Sequence, residues 1–251
     1  MFKDKYLTLS KDNTLKLWRT RTLQHMRTVQ LGEGTGWINA AIHLPDVKRL
    51  VLASALGKLH ALDAHTLRVT SSFRLPFVPQ ALTTLPEGDF LTTEDFMPGS
   101  ESEDLVLLGD QHGKLHFLHQ AALAEPGASL TSAAAGLLPH LTAQLHSTWV
   151  EKLEWVRDLG GLMSSSADGS LQLSDLSRGA VVARHRVSNP SGKPIKSFAW
   201  CSKHAMVAPY LPHISPTSPY ISPGARSTRW SRPAGWSGTS TGGRLPPLPP
   251  P

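Results

Sequence analysis

Four stretches of the chain alternate apolar and polar residues on either side of a tight turn. They read YLTLSKDNTLKLW (6–18), RLVLASALGKLHALD (49–63), DLVLLGDQHGKLHFL (104–118) and GLMSSSADGSLQLSD (161–175). Each begins with an apolar run that ends in small or turn-forming residues, passes Asn13, Gly57, Gly113 or Gly169, and continues as a strictly alternating run. Leu15/Leu17, Leu59/Ala61, Leu115/Phe117 and Leu171/Leu173 fall on one face, and Lys16, His60, His116 and Gln172 on the other. Period-two patterning around Asn or Gly predicts a β-hairpin, because side chains alternate across a strand and the turn needs a residue that tolerates positive φ. The turn residues recur at separations of 44, 56 and 56, so the hairpins are copies of one unit.

Further strands sit in fixed relation to each hairpin. Residues 37–42, 79–85, 149–155 and 194–200 predict a strand upstream, and Leu67–Phe73 and Ala180–Arg186 a short strand downstream. Four antiparallel strands per unit, repeated, is the sequence form of a β-propeller blade, whose stability comes from stacking on its neighbours. Residues 5–30 supply the last three strands of a first blade, and fuller blades follow at about 36–73, 78–120 and 149–186. The outer strand of the third has no clear position. A fifth begins at Pro194 and stops in mid-blade at Met206-Val207-Ala208.

Three accounts fit that break. The chain is a truncated form of a longer protein, such as an alternative transcript whose end encodes unrelated residues; or the strand near Ile195–Trp200 closes a small ring as the inner strand of the first blade; or the arc is open and needs a partner. The first is preferred, because repeat logic gives no reason to lose a blade at its second strand. It predicts aggregation through unpaired edges.

Composition changes after Ala208. Residues 209–251 hold 11 Pro among 43 residues, and they have no Asp, Glu or Lys. That composition buries too little apolar surface to offset ordering entropy, so the expected division is 1–208 folded and 209–251 a disordered Pro/Ser/Gly-rich tail. The tail's Arg226, Arg229, Arg232 and Arg244 supply four of the six net positive charges, leaving 21 basic against 19 acidic side chains in 1–208. So balanced a surface makes no footprint for phosphates. The single cysteine, Cys201, excludes an internal disulfide framework; Met1–Lys5 lacks the apolar core of a signal peptide, and no run of 18 apolar residues offers a membrane span.

The repeated units resemble WD-repeats. SKDNTLKLW looks like the end of one, with a turn Asp six positions before a strand Trp, here Asp12 and Trp18. SSSADGSLQLSD resembles the same signature, with Asp168 in the turn, Ser174 in the Trp place and Asp175 as the final acid. His146, four residues before Val150, resembles the histidine that precedes an inner strand in that family. The match covers most of residues 5–208. It implies an all-β fold, a propeller fragment of about four to five blades, held by an Asp–His–Ser/Thr–Trp hydrogen-bond network. The Gly57 and Gly113 units carry Leu56 and His112 where the turn Asp belongs and lack the strand Trp, which implies that those two blades rely on packing. Gly36-Trp37-Ile38, a loop-interrupted third unit and His146-x-x-Trp149-Val150 also resemble the long WD-repeat proteins of cilia and sperm. That implies a cytoplasmic site, in the cilium or sperm axoneme. No EF-hand loop occurs in the sequence.

Candidate chemistry is sparse. His112, His116 and His119 are close in sequence, but the strand reading puts His112 in the turn, His116 pointing outward and His119 on the opposite face, so they do not converge on a metal. Asp12 and Asp168 read as turn residues that accept backbone N–H bonds rather than as catalytic acids. Ser164–Ser166 occupy the small-residue positions of a WD strand, and Cys201 reads as a packed small side chain. The sequence has no nucleophile elbow, phosphate loop or His-Glu-x-x-His helix. The expectation is a non-catalytic protein-binding scaffold with no cofactor, no metal, no small-molecule substrate, no membrane span and no nucleic-acid partner.

Three places could receive a partner. Trp37 and Trp149 open two inner strands, where they either meet a partner or pack between blades. Residues 86–104 hold seven acids, Glu94 and Asp95 among them, with no Lys or Arg: a patch to steer a basic partner, or a solvated insertion. Arg244 to Pro250 satisfies the Arg-x-x-Pro-x-x-Pro form of a Src-homology-3 ligand, with Arg244, Pro247 and Pro250 as its anchors. The alternative function is therefore a linear-motif adaptor. Trp230 and Trp236 among arginines offer weaker support for single-stranded nucleic acid. Residues 120–147 fit either a short helix outside the blade or a loop.

Overall fold

Alternating apolar residues demand that each strand bury one face, and the chain meets that demand by stacking sheets on sheets. The structure, a computed structural model, describes residues 4–85, 105–124, 137, 141–177, 180–202, 206–210 and 228–229. Within them it is all-β, with only 3₁₀ turns as helical structure, and no helix is long or apolar enough to cross a membrane.

The strands form five antiparallel sheets in chain order. Sheet A is β1 (Lys5–Leu9), β2 (Thr14–Arg19) and β3 (His25–Gln30). Sheet B is β4 (Ile38–Leu44), β5 (Arg49–Ser54), β6 (Lys58–Asp63) and β7 (Val69–Arg74). Sheet C runs from β8 (Pro79–Leu85) through β9 (Leu105–Asp110) and β10 (Lys114–His119) to β11 (Ala143–Gln144). Sheet D is β12 (Val150–Val156), β13 (Gly161–Ser166), β14 (Ser170–Ser177) and β15 (Ala180–Ser188). Sheet E is β16 (Ser197–Cys201), β17 (Met206–Tyr210) and β18 (Thr228–Arg229).

The predicted hairpins all form. Their registers coincide: Tyr6 faces Trp18, Leu50 faces Leu62, Val106 faces Leu118, and Leu162 faces Ser174. Asn13, Gly57, Gly113 and Gly169 have φ of 60°, 69°, 80° and 77°, which is why the sequence places Asn or Gly there. The outer strand of sheet C is β11, two residues that pair with Lys114 and Leu115 beyond the 120–140 insertion. Within that insertion a 3₁₀ turn spans Gln120–Leu123. Leu67, expected in a strand, takes φ 56° in the turn before β7. The small-ring account is corrected. Ile195–Trp200 does not complete sheet A, because β16 pairs with β17 in a sheet of its own. β17 continues to Tyr210, past the compositional boundary, and Thr228–Arg229 of the proline-rich segment pair with it.

Five sheets leave four seams, and each is filled. Leu7, Leu9, Leu15 and Val29 of sheet A meet Leu50, Leu52 and Leu62 of sheet B. Val51, Ala53, Leu59, Ala61 and Phe73 of sheet B meet Val106, Leu108 and Leu118 of sheet C. Leu107, Leu115 and Phe117 of sheet C meet Leu153, Leu162 and Leu176 of sheet D. Met163, Leu171 and Leu173 of sheet D meet Phe198 and Val207 of sheet E. Each of sheets B to E thus packs its front face on the back face of the sheet before it. The inner strands run side by side, β4 against β8, β8 against β12, and β12 against β16. Asn39 Nδ2 donates to the Pro79 carbonyl at 3.0 Å, and Lys152 Nζ to the Phe198 carbonyl at 2.8 Å, tying neighbouring inner strands.

Candidate functional site

The turns between the first two strands of each hairpin gather on one face of the stack, and their geometry is fixed by side chains. Three residues before each positive-φ residue stands Ser10, Ser54, Asp110 or Ser166. Its side chain accepts the N–H two residues on: Asp12 at 3.4 Å, Leu56 at 3.1 Å, His112 at 2.8 Å and Asp168 at 3.1 Å. Its carbonyl accepts the N–H of Asn13, Gly57, Gly113 or Gly169. Two partners per turn leave the loop little freedom.

A second lock comes from a turn carboxylate. Asp12 Oδ1 accepts Thr14 N–H at 2.9 Å, and Asp168 Oδ1 accepts Ser170 N–H at 2.8 Å. In sheet C the expectation of packing alone is corrected. His112 holds the position that Asp12 and Asp168 occupy in their turns, but Asp110, two residues earlier, accepts both His112 N–H and Lys114 N–H at 2.8 Å. Its other oxygen lies 2.8 Å from His116 Nε2. Burial opposes the Asp110 charge, and the hydrogen bonds from His116, Lys114 and His112 outweigh it, so its carboxyl titrates below the usual range. His116 does not point outward as the strand pattern suggested; its ring stacks on Phe77 with centroids 3.7 Å apart.

Sheet D carries the fullest polar network. His146 arrives on the loop after β11 and is buried, with Nε2 2.8 Å from Ser164 Oγ and Nδ1 2.7 Å from Ser170 Oγ. Asp168 Oδ2 stands 3.7 Å from Nδ1 and accepts Ser147 N–H at 3.0 Å. Burial pulls the His146 pKa down to about 4 despite the nearby Asp168 charge, so the ring is neutral at pH 7. Asp168 is pushed down: burial opposes its charge, but the bonds from Ser170 and Ser147 dominate. Ser174, at the register position of Trp18, accepts from Gln172 Nε2 at 2.9 Å. Asp175 pairs with Arg184, which also donates to the Leu159 carbonyl at 2.9 Å. Trp18 donates from Nε1 to Thr8 Oγ1 at 2.8 Å.

Beside these turns stand the two tryptophans. Trp37 and Trp149 directly precede β4 and β12 at matching positions, and their carbonyls accept Ala55 N–H at 2.8 Å and Ala167 N–H at 3.0 Å. Their side chains are 58% and 50% exposed, so they face solvent rather than lying between sheets. Sequence reasoning missed their company. Lys11 Nζ lies 5.3 Å from the Trp37 ring centroid, and Leu56, 53% exposed, leans over Gly36. The signal was available: a Leu where a turn Asp is expected is a solvent-facing apolar residue. Glu94 and Asp95, and Arg244, Pro247 and Pro250 of the proline-rich segment, lie outside the described residues. Among the described residues, no three His, Cys, Asp or Glu side chains gather where a metal ion could sit. No protein-family model matches the chain, and no curated protein matches it.

Proposed function

We propose that this chain is a WD-repeat β-propeller fragment that works as a non-catalytic scaffold, binding protein partners on its turn-bearing face. Support comes from the common hairpin register, the front-to-back stacking, and a His146–Ser164–Asp168 network at the positions of the family signature. The observation that carries the binding reading is the pair Trp37 and Trp149. Two large aromatic rings, each at least half exposed, sit at equivalent positions beside a backbone fixed by paired turn bonds. Rigid aromatics offer contact area at low entropic cost, which is why tryptophan is enriched among binding hot spots. A cytoplasmic location, in the cilium or axoneme, accompanies this reading through the resemblance alone.

Proximity labelling in cells tests it, comparing the wild-type chain with the Trp37→Ser/Trp149→Ser variant and with a chain lacking residues 209–251. Partners lost with the tryptophans and kept without the tail support the scaffold. The reverse pattern would refute it in favour of the alternative, a linear-motif adaptor in which Arg244 to Pro250 recruits a Src-homology-3-type domain.

A further inference from the structure

The stacking rule leaves two sheet faces without a neighbour among the described residues. In sheets B, C and D the front face is closed. Leu50, Leu52 and Leu62, then Val106, Leu108 and Leu118, then Leu162, Ser164 and Ser174, are all buried beneath the preceding sheet. The matching residues of sheet A are Tyr6, Thr8 and Trp18. Thr8 is exposed, and Tyr6 and Trp18 are half-buried against each other, their rings stacked with centroids 6.1 Å apart at 8°. His25 meets the Trp18 edge at 5.2 Å on the same face. At the other end, β16 turns Phe198 and Trp200 toward sheet D. By strand alternation Ser197, Ala199 and Cys201 form the back face of sheet E, with Ala199 and Cys201 exposed.

We infer that the front face of sheet A docks on the back face of sheet E in a second copy of this chain. The argument is continuity. All four internal seams join a front face to a back face, and none joins like to like. One chain carries both halves of a fifth such seam, so a second copy offers the surface that matches. A large aromatic front, Tyr6 with Trp18, meets a back lined by small residues, as Ala53 and Ala61 line the back of sheet B. A front-to-front dimer would instead bring Lys16 of each copy to the same surface. Front-to-back contact is heterologous: each copy keeps one free half, so association continues past the dimer as concentration rises. This surface is separate from the one bearing Trp37 and Trp149, and its success or failure leaves that reading untouched.

Sedimentation velocity of the full chain, in reductant, across low to high micromolar concentration tests this. The wild-type weight-average mass should climb past twice the monomer without levelling at the dimer. Thr8→Arg spoils the front and Ala199→Arg the back, each at an exposed residue. Each variant alone should stay monomeric, and an equimolar mixture should form a heterodimer that stops there, through the one intact front and the one intact back. A monomeric wild type overturns the inference. So does an Ala199→Arg protein that still dimerises, which would mark a front-to-front contact, and so does association of both variants as strongly as wild type, which would mark the open edge of β1. Far-UV circular dichroism checks that each variant keeps its sheet. If either does not, Thr8→Glu and Ala199→Glu replace them under the same outcomes.

Discussion

Acid should weaken this fold through His146 in a measurable way. The ring is buried against Ser164 and Ser170 and neutral in the native state, with a pKa of about 4 against 6.5 in an unfolded chain. Above pH 6.5 both states leave it unprotonated and it exerts no pull. As pH falls from 6.5 toward 4, the unfolded chain takes up a proton that the native chain refuses, and stability drops with a limiting slope of about 1.4 kcal/mol per pH unit. At pH 5 the accumulated loss is about 2 kcal/mol. Below pH 4 the native ring protonates too and the loss levels off, while Asp168, whose folded pKa is lowered, starts to give up its own contribution as pH passes down through 3.8. Urea unfolding at pH 7.5 and pH 5.0, on the wild type and on His146→Gln, isolates the effect. Gln at this position does not titrate, so the fall between the two pH values should be smaller by about 2 kcal/mol in the variant. His60, also lowered chiefly by burial, is common to both proteins and cancels. Equal falls would refute a buried neutral ring. A steeper fall in the variant would mean that His146 and Asp168 form an ion pair in the native state.

Three other outcomes follow from the turns. Asp110→Ala strips the partner from His112 N–H, Lys114 N–H and His116, and should cost about 2–4 kcal/mol in urea unfolding, whereas Asp12→Ala, at an exposed turn, should change the midpoint little. Gly113→Ala places a Cβ 2.2 Å from the His146 carbonyl oxygen at φ 80°, so it should lower stability by about 3 kcal/mol or more by differential scanning fluorimetry. Gly192→Ala, at φ 65° in open space, should cost about 1 kcal/mol. The Trp37→Ser/Trp149→Ser variant should unfold within about 0.5 kcal/mol of wild type, as expected for exposed side chains, so that lost binding reports a lost surface.

The hairpins were legible because period two and the turn residue are written locally. Residues 79–85 and β8 coincide, and the inner strands of sheets B and D fall within two residues of the predicted ones. What escaped was set by distance. β11 is two residues long, follows an insertion and shows no alternation, so only its pairing with Lys114 and Leu115 defines it. The turn acid of the repeated pattern falls two residues after Asp110, where His112 stands, so the pattern does not point to Asp110. In these turns both positions reach the N–H just after the positive-φ residue, Lys114 in one and Ser170 in the other, and a carboxylate at the earlier position also accepts the N–H two residues on. Alternation places His116 on one face of its sheet, and whether that face is covered depends on Phe77, which the connection from β7 to β8 delivers.

The uneven match of the repeats to one signature then has a physical sense. The front faces of sheets B to E are closed against the sheet before them, and sheets B and D do so with different chemistry. Sheet B places Leu50, Leu52 and Leu62 on its front with one buried histidine among them, His60 opposite Leu52, whose Nδ1 lies 2.7 Å from Ser72 Oγ. Sheet D places Ser164, Ser170 and Ser174 in the same layer, each buried. Those hydroxyls require donors and acceptors, which His146 and Gln172 supply. The histidine and the serines are therefore one choice made together. A Ser164→Leu change would leave His146 Nε2 facing a methyl group, and His146→Leu would strand the Ser164 hydroxyl, so each alone costs a buried hydrogen bond. Made together they convert the sheet D chemistry toward that of sheet B, leaving Ser170 to Asp168, which already accepts from it. Degeneracy in these units thus follows how many hydroxyls a seam buries: sheet D needs His146 from outside its hairpin to meet Ser164 and Ser170, while sheet B pairs its own His60 with Ser72.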